Sequence, residues 1–126
     1  MVDKVAIYLR KSRDEDNEAK EETLARHEKM LNDYCKRNKL NVVAIYKEVV
    51  SGESIANRPE MQRLLEDVNL GLYTGVVCIE IERLSRGNQI DQCEILEVFK
   101  KSNTKIYTLQ KIYDLSKEEI DEEFFE

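Results

Sequence analysis

A serine surrounded by basic side chains is the feature of this sequence that points most directly to chemistry. Ser12 lies two residues after Arg10 and is flanked by Lys11 and Arg13. Arginine carries a permanent charge, and its planar guanidinium group binds two phosphate oxygens at once. A serine hydroxyl held in line with a leaving oxygen can attack phosphorus and form a covalent phosphoserine. Residues 10–13 therefore favour phosphoryl transfer with Ser12 as the nucleophile.

Further arginines follow two later segments of the chain. Arg58 comes after the turn-rich residues 51–57, and residues 82–86 spell ERLSR. Several guanidinium groups around one phosphate stabilise the charge that builds up as a nucleophile adds. Glu82 can orient the arginines or accept a proton. The predicted metal-independent site consists of Arg10, Ser12, Arg58, Glu82, Arg83 and Arg86.

Each of these residues taken alone has an ordinary explanation. Arginines are usually solvated surface charges, and serines in loops are usually turn or cap residues. Arg83 and Arg86 can also pair with neighbouring glutamates near the start of a helix. Only the complete set of residues predicts a phosphate-binding site. From these residues alone, an ordinary polar surface remains the alternative.

Alternating strand-like and helix-like segments must position these side chains. Apolar and β-branched runs predict strands, and an apolar stripe at i, i+3, i+4 and i+7 after Pro59 predicts a helix. The strands are predicted at residues 5–10, 41–50, 75–81 and 104–109. The helices are predicted at about residues 21–38, from Pro59 onward, at about 89–101, and after a capping box formed by Ser116 and Glu119.

This alternation predicts an α/β fold with three layers, in which a mostly parallel sheet carries helices on both faces. Sites in such sheets form at the carboxyl ends of the strands. The polar segments that begin at Arg10, Ser51 and Glu82 follow the first, second and third predicted strands. We therefore expect the three segments to converge at one edge of the sheet.

Several common chemistries lack their sequence signatures. The chain has no phosphate loop of the G-x-x-x-x-G-K-[ST] type, no G-x-G-x-x-G and no G-x-S-x-G. A single histidine, His27, and three cysteines without a C-x-x-C pair make a structural zinc and a disulfide framework unexpected. The cysteines, which are predicted to be small buried residues, are Cys35, Cys78 and Cys93.

The charge of the chain is concentrated at one end. Residues 114–126 hold seven acids and one lysine, which accounts for the whole formal net charge of −6. The other residues are balanced, so the net charge does not exclude a DNA partner. No apolar run approaches the roughly 20 residues of a membrane helix, and a cytoplasmic location is expected by default.

Four segments together resemble the catalytic domain of the serine recombinases, also called the resolvase/invertase domain. The likeness is closest to the large serine recombinases, which include phage integrases and conjugative-transposon recombinases. The resembling segments are YLRKS (8–12), ETLARHEKML (22–31), VVSGESIANRPEMQRLLEDV (49–68) and IERLSRGN (81–88). They occur in the family's order and span nearly the whole chain.

The resemblance implies a role for individual residues. Ser12 matches the nucleophile, Arg10 and Arg58 match two of the family's arginines, and Arg83 with Arg86 matches the pair in its D-R-L-x-R motif. Glu82 stands where the family often has aspartate, and His27 stands where many members have glutamine. The residues expected to contact DNA or phosphate are Lys11, Arg13, His27, Ser51 and Gly52.

The resemblance also implies a reaction and its partners. Two dimers bring two double-stranded DNA sites together as a tetramer, each serine cuts one strand to give a 5′-phosphoserine, and the strands are exchanged and rejoined. No metal, ATP or other cofactor is expected. Residues 1–113 would be the catalytic domain and 114–126 the start of an interface helix. DNA-binding domains are absent, so the chain is expected to be a bacterial or phage-encoded fragment that is inactive alone.

Two other classes of function remain open. One is a non-catalytic α/β interaction module that has kept the fold. The other is a small phosphatase-like or esterase-like enzyme in which His27 activates Ser12. A module without chemistry has no need for the complete set of arginines, whereas the second alternative predicts turnover of small phosphate esters that depends on His27.

Overall fold

The computed structural model of the chain describes residues 3–11, 20–49, 58–79 and 89–114. Its strands are β1 (Lys4–Lys11), β2 (Asn41–Val49), β3 (Gly75–Val77), β4 (Lys105–Tyr107) and β5 (Ile112–Tyr113). Its helices are α1 (Lys20–Arg37), α2 (Pro59–Asn69) and α3 (Gln89–Ser102). Every described element except β5 corresponds to a predicted one, and most ends agree within one or two residues.

The five strands form one sheet in the order β2-β1-β3-β4-β5. All neighbouring pairs are parallel except β4 and β5, which are antiparallel. The prediction of a mostly parallel α/β sheet is confirmed. The sequence did not predict β5, because two residues are too few to show an alternating pattern.

Helices cover both faces of the sheet, as predicted. On one face, α2 and α3 pack on β1 through a core that includes Met61, Leu64 and Phe99. On the other face, α1 packs through Leu24, Leu31 and Cys35. Strand β1 lies between the two cores, and its residues from Val5 to Lys11 are all buried. A strand that is covered on both faces has a continuous apolar sequence instead of an alternating one.

Gly75 opens β3 at a point where the sheet leaves no room for a side chain. A Cβ atom built there would lie 2.3 Å from Cε1 of the Tyr107 ring on β4. The ring therefore occupies the space that any other residue would need. Glycine allows the Tyr107 ring to pack directly on the backbone of β3.

The prediction that all three cysteines are buried is wrong for one of them. Cys35 and Cys78 are buried, but Cys93 is exposed. Cys93 lies on α3 two residues before Ile95, which faces the core together with Phe99. Residues two apart on a helix point in nearly opposite directions, so Cys93 faces away from the sheet.

Some sequence predictions fall outside the described residues. They include the capping box at Ser116 and Glu119 and residues 80 and 81 of the third predicted strand. Residues 78 and 79, which were predicted to continue that strand, lie beyond its end at Val77. Among the helices of the described residues, none combines the length and the apolar character that crossing a membrane requires.

Candidate active site

Three neighbouring strands bring the predicted site segments to one edge of the sheet. Strand β1 lies between β2 and β3, and both pairings are parallel. Their carboxyl ends therefore point the same way, and Lys11 at the end of β1 is level with Val49 at the end of β2. We call this side of the sheet the carboxyl edge. It contains the point between β1 and β3 where the chain changes direction of winding, which is where open α/β sheets bind ligands.

Arg58 is the side chain that the structure fixes most firmly at this edge. The residue is fully buried, with 0% of its surface exposed. Its Nε and Nη2 atoms donate hydrogen bonds to the hydroxyl of Tyr8, at 3.3 and 3.0 Å. The guanidinium carbon lies 5.6 Å from the centre of the Tyr8 ring. These contacts orient the guanidinium plane, which decides where it can bind a phosphate.

Glu48 provides the negative charge opposite Arg58. One of its carboxylate oxygens lies 4.0 Å from Nε of Arg58 and also accepts a hydrogen bond from the hydroxyl of Tyr8. The same carboxylate accepts backbone N–H bonds from Glu60 and Met61 in the first turn of α2, at 3.1 and 3.2 Å. Glu48 thus ties together a strand, a helix N-terminus and the buried arginine.

Glu48 also replaces the usual helix cap. Arg58 occupies the position before Pro59 at the start of α2, and its own side chain makes no capping hydrogen bond. The first N–H groups of a helix need acceptors, and a negative charge there interacts favourably with the helix dipole. The carboxylate of Glu48 meets both needs from the adjacent strand, which leaves the side chain of Arg58 available to bind Tyr8.

Tyr8 connects the two charged groups through its hydroxyl. Burial raises its pKa well above the ordinary value near 10, the Arg58 cation opposes that rise, and the Glu48 carboxylate adds to it. The hydroxyl is therefore protonated at neutral pH. It donates its proton to Glu48 and accepts hydrogen bonds from Arg58, so each group has a defined partner.

Arg10 and Lys11 lie at the same edge but on opposite faces of the sheet. Both are buried, with 5% and 6% of their surfaces exposed. Side chains alternate along a strand, so Arg10 shares the α2 face with Tyr8, while Lys11 is on the α1 face. Arg10 is also level with Glu48 on β2. The described part of the carboxyl edge therefore holds three buried cations and one buried carboxylate.

His27 lies on the other side of the sheet from Arg58. It is a half-buried residue of α1, three residues after Leu24 and four before Leu31, both of which are buried in the α1 core. Residues at this spacing share one helix face. The seven other predicted site residues, Ser12, Arg13, Ser51, Gly52, Glu82, Arg83 and Arg86, lie outside the described part of the chain.

The sequence analysis missed Tyr8 and Glu48. The signal for Glu48 was present in β2, where Ala44, Tyr46 and Glu48 alternate with residues of the opposite face. An acid on the same side of a strand as apolar and aromatic residues predicts a buried carboxylate, which needs a partner. Tyr8 was assigned to the apolar core of β1, since a tyrosine in an apolar run does not reveal where its hydroxyl points.

Comparisons with known proteins agree with this fold. The family model described as "Resolvase, N terminal domain" matches residues 5–126 of the chain. The structure is similar to the N-terminal catalytic domain of TP901-1 integrase, with 24% identity, a TM-score of 0.72, and coverage of 97% of this chain and 88% of that one.

Two other solved structures share the fold. The C-terminal catalytic domain of ISC1926 TnpA, an IS607-like serine recombinase, has 24% identity and a TM-score of 0.70 over 86% of this chain and 70% of that one. A resolvase family site-specific recombinase from Streptococcus pneumoniae has 20% identity and a TM-score of 0.68 over 93% and 80%.

Proposed function

Because the chain belongs to the resolvase family of serine recombinase catalytic domains, we propose that it cuts and rejoins DNA with Ser12 as the nucleophile. The Ser12 hydroxyl oxygen bonds to the phosphorus of a DNA phosphodiester, and the bond from phosphorus to the 3′ oxygen breaks. The serine proton leaves to a base, and the 3′ oxygen takes up a proton to become a hydroxyl. The 5′ phosphate stays bound to Ser12 as a phosphoserine.

Rejoining is the same step in reverse. A 3′-hydroxyl from the other DNA site attacks the phosphoserine, a new phosphodiester forms, and Ser12 regains its proton. One phosphate ester replaces another in each direction, so the reaction as written consumes no ATP. Arg10, Arg58, Arg83 and Arg86 would hold the phosphate oxygens, and Glu82 would orient the arginines or carry the proton.

The position of Arg58 is the observation that carries this proposal. Its guanidinium group is buried at the edge where β1 ends, and Ser12 is the residue after Lys11, the last residue of β1. Tyr8 and Glu48 hold the cation in place before any ligand binds, and such preorganised charge stabilises a transition state most effectively. Apolar packing would stabilise the fold at least as well as a buried ion pair, so stability alone is a weak reason to bury an arginine at this edge.

The resemblance supports a wider assembly, which is also part of the proposal. Residues 1–113 would form the catalytic domain, and residues 114–126 would begin a helix that contacts a second copy. Dimers would bind double-stranded DNA sites and join as a tetramer for strand exchange. The other residues expected to contact DNA or phosphate would approach the DNA backbone; they are Lys11, Arg13, His27, Ser51 and Gly52.

Replacing Ser12 by alanine is the direct test. The whole gene product is incubated with the DNA that flanks its gene, and covalent protein–DNA adducts are counted on a denaturing gel. Ser12→Ala should abolish the adducts while DNA binding is retained, because only the nucleophilic oxygen is removed. Mass spectrometry of the wild-type adduct should locate the phosphate on the peptide that contains residue 12.

Ser102→Ala is the matched control. Ser102 is at the C-terminal end of α3, where its hydroxyl donates to the carbonyl oxygen of Val98 at 2.7 Å. Its removal should leave adduct formation unchanged. Adducts that persist in Ser12→Ala would overturn the proposal, as would phosphate-ester turnover that requires His27 but no DNA.

A further inference from the structure

The outer face of α1 carries a row of basic side chains that the proposed reaction does not use. We call Arg26, Lys29, Lys36 and Arg37 the basic stripe. All four are exposed. They lie on the side of α1 opposite to the buried residues Leu24, Leu31 and Cys35, since their spacing places them roughly half a turn away.

Most of α1 and the turn that follows it are net positive. The whole chain has a formal net charge of −6, but residues 24–40 hold five cations and two acids, and the two other acids of α1, Glu21 and Glu22, stand near its start. One of those acids, Glu28, is paired with Lys47 of β2 at 2.6 Å. Asp33 lies on the same face as the stripe, four residues from both Lys29 and Arg37, so the stripe is predominantly but not wholly positive. Within the described residues, none of the four stripe side chains makes an ion pair.

Interaction with the helix dipole explains the positions of only two of the four basic residues. Lys36 and Arg37 lie in the last turn of α1, where cations interact favourably with the helix dipole. Arg26 and Lys29 lie in the first half of the helix, where that interaction is absent. Glu22, four residues before Arg26 in the sequence, and Asp33, four residues after Lys29, offset part of this charge, so the stripe keeps a net positive charge that an anion would balance.

We propose that the basic stripe is a second DNA-contacting surface, which binds the phosphate backbone of a duplex. A row of basic side chains along one helix face is the electrostatic pattern of nucleic-acid binding. From Arg26 to Arg37 the helix rises about 16 Å, which is about half of one turn of B-form DNA. The stripe makes no contact with bases in this arrangement, so its binding is independent of DNA sequence.

The inference rests on the proposed function, because a DNA-cutting domain meets duplex DNA. The N-terminal end of α1 lies towards the carboxyl edge, since the helix runs antiparallel to β1. A duplex held at that edge by the arginine cluster therefore passes closest to Arg26 and Lys29. The remaining cations extend the positive surface away from the edge, over the α1 face.

A second copy of the chain is the main competing occupant. The groove between α2 and α3, on the opposite face of the molecule, is lined by Leu65 and Val98 and by Glu66, Glu94 and Glu97. Its acidic rim has the charge that a basic helix would require. Duplex DNA is favoured because it offers a continuous row of phosphates along the whole stripe, whereas the groove also contains Lys101.

The experiment compares two triple variants with equal loss of charge. In the first, Arg26, Lys29 and Arg37 of the stripe become glutamine. In the second, Lys100, Lys101 and Lys105, which are exposed on α3 and β4, become glutamine. The probe is a fluorescent duplex of random sequence, and its anisotropy is titrated with the 126-residue chain over a range of salt concentrations.

The stripe variant should bind the duplex about tenfold or more weakly at low salt. Its plot of log K against log salt should be shallower by about 2 to 3, since each phosphate contact contributes about 0.9 to the slope. The α3/β4 variant should retain most of the wild-type slope. Equal slopes for the two variants would overturn the inference. So would a stripe variant whose only change is a lower mass in sedimentation without DNA, which would assign the stripe to contacts between copies.

The two proposals fail separately in this design. Ser12→Ala should bind the random duplex like the wild type, because the stripe is intact. If the stripe variant binds normally while covalent adducts still form on Ser12, the inference is wrong and the proposed function stands. If Ser12→Ala still cuts DNA, the proposed nucleophile is wrong regardless of the stripe.

Discussion

Two polar clusters hold α2 against the same face of the sheet, and they differ in one component. The first joins Glu48 and Tyr8 to Arg58 at the N-terminal end of the helix. The second joins the hydroxyl of Tyr46 to the carboxylate of Asp67 and to the hydroxyl of Tyr73, near its C-terminal end. Each has a buried tyrosine and one carboxylate, but only the first has a buried cation.

The second cluster holds the C-terminal end of α2 without a buried cation. Tyr46 is two residues before Glu48 on the same face of β2, and its hydroxyl bonds to Asp67 of α2 without any buried cation. Arg63 stacks over the Tyr46 ring at 4.9 Å, but its guanidinium is exposed and pairs with Glu60. A helix can thus be fixed to this sheet without burying an arginine. The buried Arg58 therefore indicates a task beyond packing.

Removing Glu48 should have the largest effect on stability. Glu48→Ala leaves the Arg58 cation without its buried carboxylate and deprives two N–H groups of α2 of their acceptor. Breaking a buried pair from one side costs about 3 to 5 kcal/mol. Urea unfolding should show this loss, whereas Glu60→Ala, which removes a carboxylate from an exposed pair, should cost less than about 1 kcal/mol.

Glu48→Gln provides a finer version of the same experiment. The amide keeps the size and one acceptor oxygen, so it can still cap α2, but it carries no charge. We expect a loss of about 1 to 3 kcal/mol, between the alanine variant and the wild type. A Glu48→Ala protein as stable as Glu60→Ala would show that the first cluster is not a buried ionic network.

Removing one tyrosine hydroxyl from each cluster should distinguish the effect of the cluster on stability from its effect on the rate of covalent adduct formation. Tyr8→Phe and Tyr46→Phe each leave buried hydrogen-bonding groups without a partner, so each should lower stability by about 1 to 2 kcal/mol. Only Tyr8→Phe loosens the guanidinium of Arg58. Its rate of covalent adduct formation should therefore fall by about tenfold or more, since small misplacements of a catalytic group have large effects on rate.

Tyr8→Phe and Tyr46→Phe serve as controls for each other. Equal stabilities with unequal rates would assign Tyr8 to positioning Arg58. Adduct formation that falls equally in the two variants would instead trace the loss to α2 as a whole. Rates should be measured well below the unfolding transition of both variants, so that the folded fraction does not enter the comparison.

The sequence predicted the fold in most of its detail. Alternation of apolar strands with amphipathic helices is a strong signal, and in α2 the predicted stripe of Met61, Leu64, Leu65 and Val68 is buried in full. Among the described elements β5 was missed, because its two residues take their structure from pairing with β4. Burial on α3 was misjudged at Cys93, because cysteine generally prefers the interior, whereas its position relative to Ile95 and Phe99 places it on the outer side of the helix.

The residue types of the site were predictable from the sequence, but the contacts that hold Arg58 in place were not. Arg58 was identified from the sequence, and its burial was not, because arginine is usually exposed. Among the described residues, its partners include Tyr8 and Glu48, which stand 50 and 10 positions earlier in the chain, on two different strands. Such a pairing depends on which strands are neighbours and in what register, and both are tertiary properties that composition and spacing do not contain.

Alkaline unfolding should show the smallest difference between the clusters. Burial raises the pKa of both Tyr8 and Tyr46 well above the ordinary value near 10. In the unfolded chain both titrate near 10, so the unfolded state releases protons that the folded state keeps. Stability is therefore complete below that pH and falls as the pH rises through it. At pH 10.5 each tyrosine should account for a loss of about 0.8 kcal/mol.

Urea unfolding between about pH 9 and 10.5 would measure this loss in the wild type and in the two phenylalanine variants. Burial also raises the pKa of Cys35 to about 11, which adds the same alkaline decline to all three proteins. Each variant should lose stability less steeply than the wild type, and by equal amounts. A Tyr8→Phe protein with the wild-type slope would mean that the Arg58 cation cancels the effect of burial on Tyr8. The cation would then control the protonation of its partner, and the two clusters would differ in electrostatics as well as in composition.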